Sequence, residues 1–155
     1  MSAAAAPALN ARRAARLAAV QALYQMETAG ASAADVTTDF QAGRLPRGDE
    51  GALEAEPDGT LFAALIDTAV EKQDAIDPTI AQRLVGWKLE RIDSVARAIL
   101  RAGVAELWAR KDIPTAVVID EYVEIAKAFF DGAEPGFINA ALDACAKDLR
   151  AAPIA

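Results

Sequence analysis

The sequence predicts an all-helical domain, on the strength of its alanine content, its few aromatic residues and the spacing of its apolar residues. Alanine, the strongest helix former, supplies 39 of the 155 residues. Two tyrosines, two tryptophans and five phenylalanines are too few and too scattered for a sheet protein. Apolar residues recur at helical spacing along most of the chain. We therefore expect one compact bundle of six or seven helices over residues 11–150, between a flexible tail at 1–10 and a short tail at 151–155.

The N-terminal half of the bundle has helix signals on both sides of a loop. A first helix is predicted over 11–29, where apolar spacing continues until Gly30 stops it. Ser32 can cap a short second helix. Residues 41–59 hold four glycines and two prolines among many acids, so they bury little surface and we expect a mobile loop. A third helix is predicted over about 60–75.

The C-terminal half, about 77–150, is punctuated by prolines. Asp77 precedes Pro78 as a cap precedes the first helical position, which predicts a short helix ending near residue 84. A long helix is predicted over about 88–110, with an apolar stripe and many basic residues. Two further helices open at Pro114 and Pro135. The N-terminal half, about 11–75, thus contains the loop at 41–59, and the C-terminal half follows it.

The composition excludes several kinds of chemistry. The chain has no histidine and one cysteine, Cys145, which rules out imidazole-dependent triads, His/Cys zinc sites and disulfides within the chain. Cys145 falls on the apolar stripe of the last helix, so we expect a buried thiol. One acidic run could hold a metal, but carboxylate di-metal bundles also need a histidine and a second carboxylate helix, so a solvated face with one ion pair is favoured. That run is Asp120, Glu121, Glu124 and Lys127. We expect no catalytic residue, no metal and no cofactor.

The charge is distributed unevenly. A net charge of −7 argues against nucleic acid as a ligand. Residues 1–26, however, contain Arg12, Arg13 and Arg16 and no acid, whereas residues 27–78 carry a net −9. The predicted helix start puts the arginines near its first turn, where the helix dipole disfavours cations. A phosphate backbone bound by the arginines and the free helix N–H groups would supply the missing negative charge.

Two of the aromatic residues are open to two interpretations. Tyr24 and Phe137 could each be an exposed platform for stacking single-stranded bases, or part of the core. Tyr24 continues the apolar stripe of the first helix, which favours the core, whereas Phe137 lies one position off its stripe. Trp87 and Trp108 flank the long helix, and we expect both to be packing residues.

The sequence gives no sign of membrane insertion or export. No uncharged apolar run approaches the length needed to span a bilayer. The N-terminal arginines follow the first apolar stretch rather than precede it, unlike those of a signal peptide. A lone free thiol fits a reducing compartment. We expect a cytoplasmic protein.

Four blocks of the sequence form an ordered set of motifs. They are ARRAARLAAVQALYQME at 11–27, WKLERIDSVARAILRAGVAELWARKDIP at 87–114, VVIDEYVEIAKAFF at 117–130 and GFINAALD at 136–143. The first block has an arginine cluster followed by the pattern A-x-Q-x-L-Y. In order and spacing the four blocks resemble the NusB family of bacterial transcription antitermination factors. The resemblance covers nearly all of the chain except 1–10 and 41–59.

The resemblance implies two helical subdomains without catalytic activity. It also implies binding to boxA in nascent ribosomal RNA, pairing with the small-subunit ribosomal protein NusE, and action within an RNA polymerase antitermination complex. The RNA contacts it implies are Arg12, Arg13, Arg16, Tyr24 and Phe137. The partner-facing candidates are Arg97 and Arg101. Family members can also form homodimers.

The sequence allows two other interpretations, of which the first remains open and the second is disfavoured. A protein-only helical scaffold would use the acidic surface to bind a basic partner and never contact RNA. Ribosomal RNA cytosine methyltransferases carry an RNA-binding domain of the same fold, but methyl transfer needs a glycine-rich nucleotide loop that this sequence lacks.

Overall fold

The computed structural model describes residues 5–45 and 56–150, with side chains from Asn10 onward. The described residues form seven α-helices and one 3₁₀ turn and include no strand, which confirms the all-helical prediction. The helices are α1 (Ala5–Ala29), α2 (Ala33–Gln41), α3 (Gly59–Glu71), α4 (Gln73–Ala81), α5 (Ser94–Ala109), α6 (Thr115–Phe129) and α7 (Glu134–Leu149), with the 3₁₀ turn at Leu89–Arg91. Within the described part of the chain, no helix is long and apolar enough to cross a membrane.

Helix α5 lies at the centre of the bundle. Ten of its sixteen residues are buried, and it packs against α1, α3, α4, α6 and α7. A helix that is apolar nearly all round must be surrounded by other elements. The buried residues of the N-terminal and C-terminal halves consequently belong to one hydrophobic cluster around α5.

Helix α1 runs antiparallel to α5. Arg16 of α1 contacts Glu106 near the C-terminal end of α5, and Glu27 contacts Arg97 near its N-terminal end. The side chains of α1 after residue 20 therefore lie towards the N-terminal end of α5, and its arginine cluster lies towards the other end.

Helix α7 runs parallel to α5 and approaches it closely. A Cβ atom at Gly103 of α5 would lie 2.8 Å from Cδ2 of Leu142, so any larger residue at this crossing would force the buried leucine to shift. Further along, Arg150 just after α7 donates to the carbonyl oxygens of Leu107 and Arg110 at 2.9 and 2.8 Å. The first residues of α7 thus lie towards the N-terminal end of α5.

Two helix starts have the caps that their sequences favour. Ser32 accepts a hydrogen bond from the amide of Asp35, and the Asp35 carboxylate accepts one from the amide of Ser32. This capping box confirms the predicted start of α2. Asp58 accepts from the amide of Leu61 at the start of α3. Helix α6 also begins where predicted, directly after Pro114, and α7 begins one residue before Pro135.

Two boundaries in the middle of the chain were predicted wrongly. Asp77 does not cap a helix at Pro78, because α4 begins at Gln73 and contains Pro78. The Asp77 carboxylate instead accepts two hydrogen bonds from Arg101, each 2.9 Å long. The helix predicted over 88–110 is interrupted, because Asp93 accepts from two amides at the first turn of α5 and so starts a new helix there.

The predicted tail and loop are partly helix. Helix α1 begins at Ala5, six residues earlier than predicted, and Pro7 is tolerated in its first turn. Part of 41–59 is also ordered by its neighbours, since Leu45 is buried and the amide of Asp58 donates to the carbonyl of Ala11. The rest of the predicted loop (46–55) and of the tails (1–4 and 151–155) lies outside the described residues.

Candidate nucleic-acid interface

The arginine cluster lies well inside α1 rather than at its start. Arg12 is the eighth residue of the helix, so the prediction of a first-turn position is wrong. Only the first four N–H groups of a helix lack an intrahelical partner. An anion at Arg12 and Arg13 would therefore be bound by the guanidinium groups without help from free backbone amides, and the dipole penalty there is small.

Arg12 and Arg13 face solvent. The Arg13 side chain is 51% exposed, and its Nε donates to both carboxylate oxygens of Glu121 at 3.1 Å. These bonds hold the side chain against α6 and use only one of its three nitrogens. Arg12 is partly exposed and makes no hydrogen bond or ion pair within residues 5–45 and 56–150. Its charge interacts with that of Asp112 only at longer range. Both guanidinium groups can therefore donate hydrogen bonds to a phosphate.

Arg16 is buried. Its side chain is 1% exposed, and its Nε donates to Oε1 and Oε2 of Glu106 at 2.8 and 3.1 Å while Nη2 donates to Oε2 at 2.6 Å. The hydroxyl of Tyr122, from α6, donates to Glu106 Oε1 at 2.8 Å. Burial opposes the charge on Arg16, but the hydrogen bonds and charge of Glu106 outweigh it and raise the pKa of Arg16. Burial also opposes the charged form of Tyr122, which for a phenol raises the pKa, here well above its usual value.

The structure thus separates the cluster into two surface cations and one internal anchor. Arg16 offers no surface to a ligand, so the RNA contact expected for it does not fit its position. Glu106 went unnoticed at the sequence level, although a lone acid in the apolar run AGVAELWA was a signal of a buried ion pair.

Lys111 is a further cation at this end of the bundle. It is exposed, makes no ion pair or hydrogen bond within the described residues, and lies between Arg110 and Asp112 in the connection from α5 to α6. Glu106, near the C-terminal end of α5, bonds with Arg16, so the connection that follows α5 lies at the same end of the bundle as the arginine cluster. Nothing in the local sequence distinguished Lys111 from any other loop lysine.

Tyr24 and Phe137 are half-buried and lie away from the arginines. Tyr24 is eleven residues after Arg13, which puts it about 17 Å further along α1 on nearly the same side of the helix. Phe137 is in the first turn of α7 and so lies towards the N-terminal end of α5, as Tyr24 does. Both rings pack partly against the core. The structure therefore brings Arg12 and Arg13 together and places both aromatic rings towards the opposite end.

Comparison with known proteins places this chain in a family. The NusB family model matches residues 13–147. The chain belongs to the NusB family.

The match to NusB proteins extends over almost the whole chain. The transcription antitermination protein NusB of Caulobacter vibrioides is 56% identical over 140 residues, which is 90% of this chain and 94% of the relative. Among solved structures, T. maritima NusB aligns with a TM-score of 0.71 and 33% identity, over 88% of this chain and 91% of that one. A complex of the antitermination factors NusB and NusE with double-stranded RNA contains a chain that aligns with a TM-score of 0.72 and 26% identity, over 89% and 97%. Antitermination of transcription is therefore the general role of this NusB family member.

The arginines expected to face a partner line a cavity of about 680 Å³ between α1, α4 and α5. Arg97 donates to Glu27 through Nε at 2.8 and 2.9 Å and to the carbonyl oxygens of Leu89 and Ile92 at 2.9 Å. Arg101 bonds with Asp77 and with Glu27. The contact with Arg97 lowers the pKa of Glu27, and the pKa of Arg101 is raised because its acidic partners outweigh the effect of burial. The side chains of both arginines are thus already bonded to carboxylates of this chain, and these carboxylates line the same cavity.

The acidic run of α6 forms ion pairs with basic side chains. Glu121 accepts from Arg13, and Glu124 accepts from Lys127 at 3.1 Å, as predicted for a solvated face. Asp120 is exposed. Among the described residues, no group of three or more potential metal ligands is assembled. Cys145 is fully buried, and burial raises the pKa of its thiol to about 11, so it is protonated at neutral pH.

Proposed function

We propose that the protein is an RNA-binding transcription antitermination factor that recognises boxA of nascent ribosomal RNA together with the ribosomal protein NusE. The observation that carries the proposal is the pair Arg12 and Arg13, two solvent-facing guanidinium groups on a helix whose rotation is set by the buried Arg16. Guanidinium groups bind phosphates through paired N–H donors and are the usual choice for nucleic-acid recognition. The protein acts in the cytoplasm, where the transcript is made.

The proposed RNA surface begins at the arginine end of α1. Arg12, Arg13 and Lys111 supply about three phosphate contacts, and α1 runs from them towards Tyr24 and Phe137. The rings of Tyr24 and Phe137 are half-buried, so each would offer only part of its surface to a base. Arg16 is proposed as a positioning residue rather than an RNA contact. A related chain has been solved in a complex with NusE and double-stranded RNA, which supports both proposed partners.

The proposed partner surface is acidic. The cavity between α1, α4 and α5 is lined by three carboxylates, those of Glu27, Asp77 and Glu90, and by two arginines. Arg97 and Arg101 hold Glu27 and Asp77 in place, and Glu90 is exposed. A basic ribosomal protein complements such a surface, and charge complementarity speeds association.

An RNA titration tests the RNA half of the proposal. A labelled boxA RNA is titrated with the wild-type protein, alone and with NusE, at several salt concentrations. We expect tighter binding with NusE and a log–log salt slope of about −2, from about −0.7 per phosphate contact on single strands. Arg12→Ala with Arg13→Ala should weaken binding and reduce the magnitude of the slope by about 1.4.

A second double variant with the same change in net charge provides the control. Lys72→Ala with Lys127→Ala removes two exposed cations from α6 and the α3–α4 junction, so it changes net charge equally without altering the arginine end. If both double variants lost the same RNA affinity, the loss would come from the change in net charge and not from Arg12 and Arg13. RNA affinity that is flat with salt and unchanged by NusE would refute the proposal, and capture of NusE without RNA crosslinking would favour the protein-only scaffold. Size exclusion of the same mixtures shows whether free protein is monomeric or dimeric.

A further inference from the structure

Trp87 is the largest apolar side chain that the described structure leaves exposed. Its indole is 60% exposed, and the neighbouring Val85 is 90% exposed, so the expectation that Trp87 packs in the core is wrong. Trp108 does pack against the core as expected. Gly86, between the two exposed residues, has φ +79°, a left-handed conformation that side chains rarely adopt. The turn therefore holds Trp87 outside the bundle.

Two basic side chains flank the indole. A surface hollow of about 520 Å³ is lined by Gly86, Trp87, Lys88 and Arg91. Lys88 and Arg91 are exposed, and neither makes an ion pair or hydrogen bond through its side chain to any other residue in 5–45 or 56–150. Apart from Arg12, every other arginine of the described structure forms such a contact, so an arginine without one, as at Arg91, is unusual here.

The nearest acid in the chain faces another way. Glu90 is the only acidic residue between residues 84 and 92. It lines the large cavity beside α1 and α4, whereas the hollow at Trp87 is lined by Lys88 and Arg91. The side chains around the hollow are consequently one aromatic ring and two cations, which complement an anion with a flat apolar part.

Phe137 extends this aromatic surface. Its ring lies 6.5 Å from the Trp87 ring, with 66° between the planes, in an edge-to-face contact. The contact supports one side of the indole and leaves the rest exposed. It also joins Trp87 to Phe137, a residue already proposed to contact RNA.

We infer that Trp87, with Lys88 and Arg91, is a second nucleic-acid site that stacks one unpaired base on the indole and binds the flanking phosphates. The inference rests on the proposed function, since it extends the same RNA path from α1 past Phe137. Single-stranded nucleic acid is bound by this combination of an aromatic face and basic side chains. An acidic protein segment would also meet the two cations, but it would not require a flat exposed ring between them.

Fluorescence of Trp87 tests the stacking directly. In a Trp108→Phe background Trp87 is the only indole, and a stacked base quenches it. We expect single-stranded boxA RNA to quench this emission, and the same sequence in a duplex to quench it much less. In the otherwise wild-type chain, Trp87→Ala should weaken single-strand binding by about 5- to 100-fold, and Trp87→Phe should retain most of it.

The flanking cations are tested by salt dependence. The three cations at the arginine end account for a slope of about −2, and contacts from Lys88 and Arg91 would bring the total to about −3.5. Lys88→Ala with Arg91→Ala should therefore reduce the magnitude of the slope by about 1.4, with Lys72→Ala and Lys127→Ala as the matched control. If RNA binding depends on Arg12 and Arg13 but Trp87 is neither quenched nor needed, the second site is refuted and the proposed function stands. If no RNA binds with or without NusE, both are refuted. If NusE alone shields Trp87 from iodide quenching and RNA adds nothing, the hollow is a protein contact and the inference is overturned.

Discussion

Replacing Arg16 with methionine removes the cation of the buried Arg16–Glu106 pair while keeping most of the side-chain volume. Glu106 would remain 0% exposed with the Tyr122 hydroxyl as its one remaining side-chain partner. Removing one member of a buried ion pair typically costs about 3–5 kcal/mol, because the other charge is left uncompensated. We expect Arg16→Met to lower the free energy of unfolding by about 4 kcal/mol.

The urea midpoint gives the measurement. With an m-value of about 2 kcal/mol/M, a loss of about 4 kcal/mol lowers the midpoint by about 2 M. Tyr122→Phe removes a single hydrogen bond to a charged acceptor and should cost about 1.5–3 kcal/mol. Arg16→Met with Glu106→Gln removes both charges, so it should recover much of the stability lost in the single variant.

The same variants distinguish an anchor from an RNA contact. If Arg16→Met left stability within about 1 kcal/mol of wild type but reduced RNA affinity as much as Arg12→Ala, the guanidinium would lie at the surface and the burial argument would be wrong. If the double variant were no more stable than Arg16→Met, the loss would come from packing rather than from the unpaired carboxylate.

Three further predictions concern packing, reactivity and pH. Gly103→Ala should destabilise the protein by about 1–3 kcal/mol in chemical denaturation, because the added methyl group would overlap the fully buried Leu142. Gly136→Ala in α7 is the control, since a methyl group there would have no neighbour within 4 Å. It should be neutral or stabilise the protein by up to about 1 kcal/mol. Cys145 should resist a thiol reagent at neutral pH in the folded protein and react fully in denaturant, and rapid native labelling would contradict its burial. The pKa of Glu27 is lowered in the folded state, so its stabilisation is present above the unfolded value of about 4.3 and is lost as the pH falls below it. Urea midpoints at pH 7 and pH 3.5 should therefore differ less for Glu27→Gln than for wild type, and an equal difference would contradict the assignment.

The fold was predictable where a local signal had no competitor. Ser32 caps α2 and Pro114 directly precedes α6, as the sequence indicates. Asp77 was predicted wrongly because a carboxylate before proline can either cap a helix or pair with a distant cation. In this structure it pairs with Arg101. Asp93 was overlooked because the apolar stripe continues across the break at the 3₁₀ turn.

The site was predictable only in outline. Sequence identifies three arginines on one helix but does not show that Glu106, ninety residues away along the chain, removes Arg16 from the surface. Trp87 was misjudged for the opposite reason, since a tryptophan near apolar residues is usually buried and only the turn at Gly86 turns it outward. Long-range pairing and backbone direction were the missing information in both cases.

Helix α1 is fixed to α5 at two separated points, because Arg16 binds Glu106 near the C-terminal end of α5 and Glu27 binds Arg97 near its N-terminal end. Each residue added to a helix rotates the residues on one side of it relative to those on the other by about 100°. One residue inserted between Arg13 and Arg16 would therefore leave Arg16 and Glu27 in phase with each other but rotate Arg12 and Arg13 away from their present side of the bundle. The three-residue interval between Arg13 and Arg16 thus fixes the direction in which Arg12 and Arg13 point, and it also aligns Arg13 with its partner Glu121.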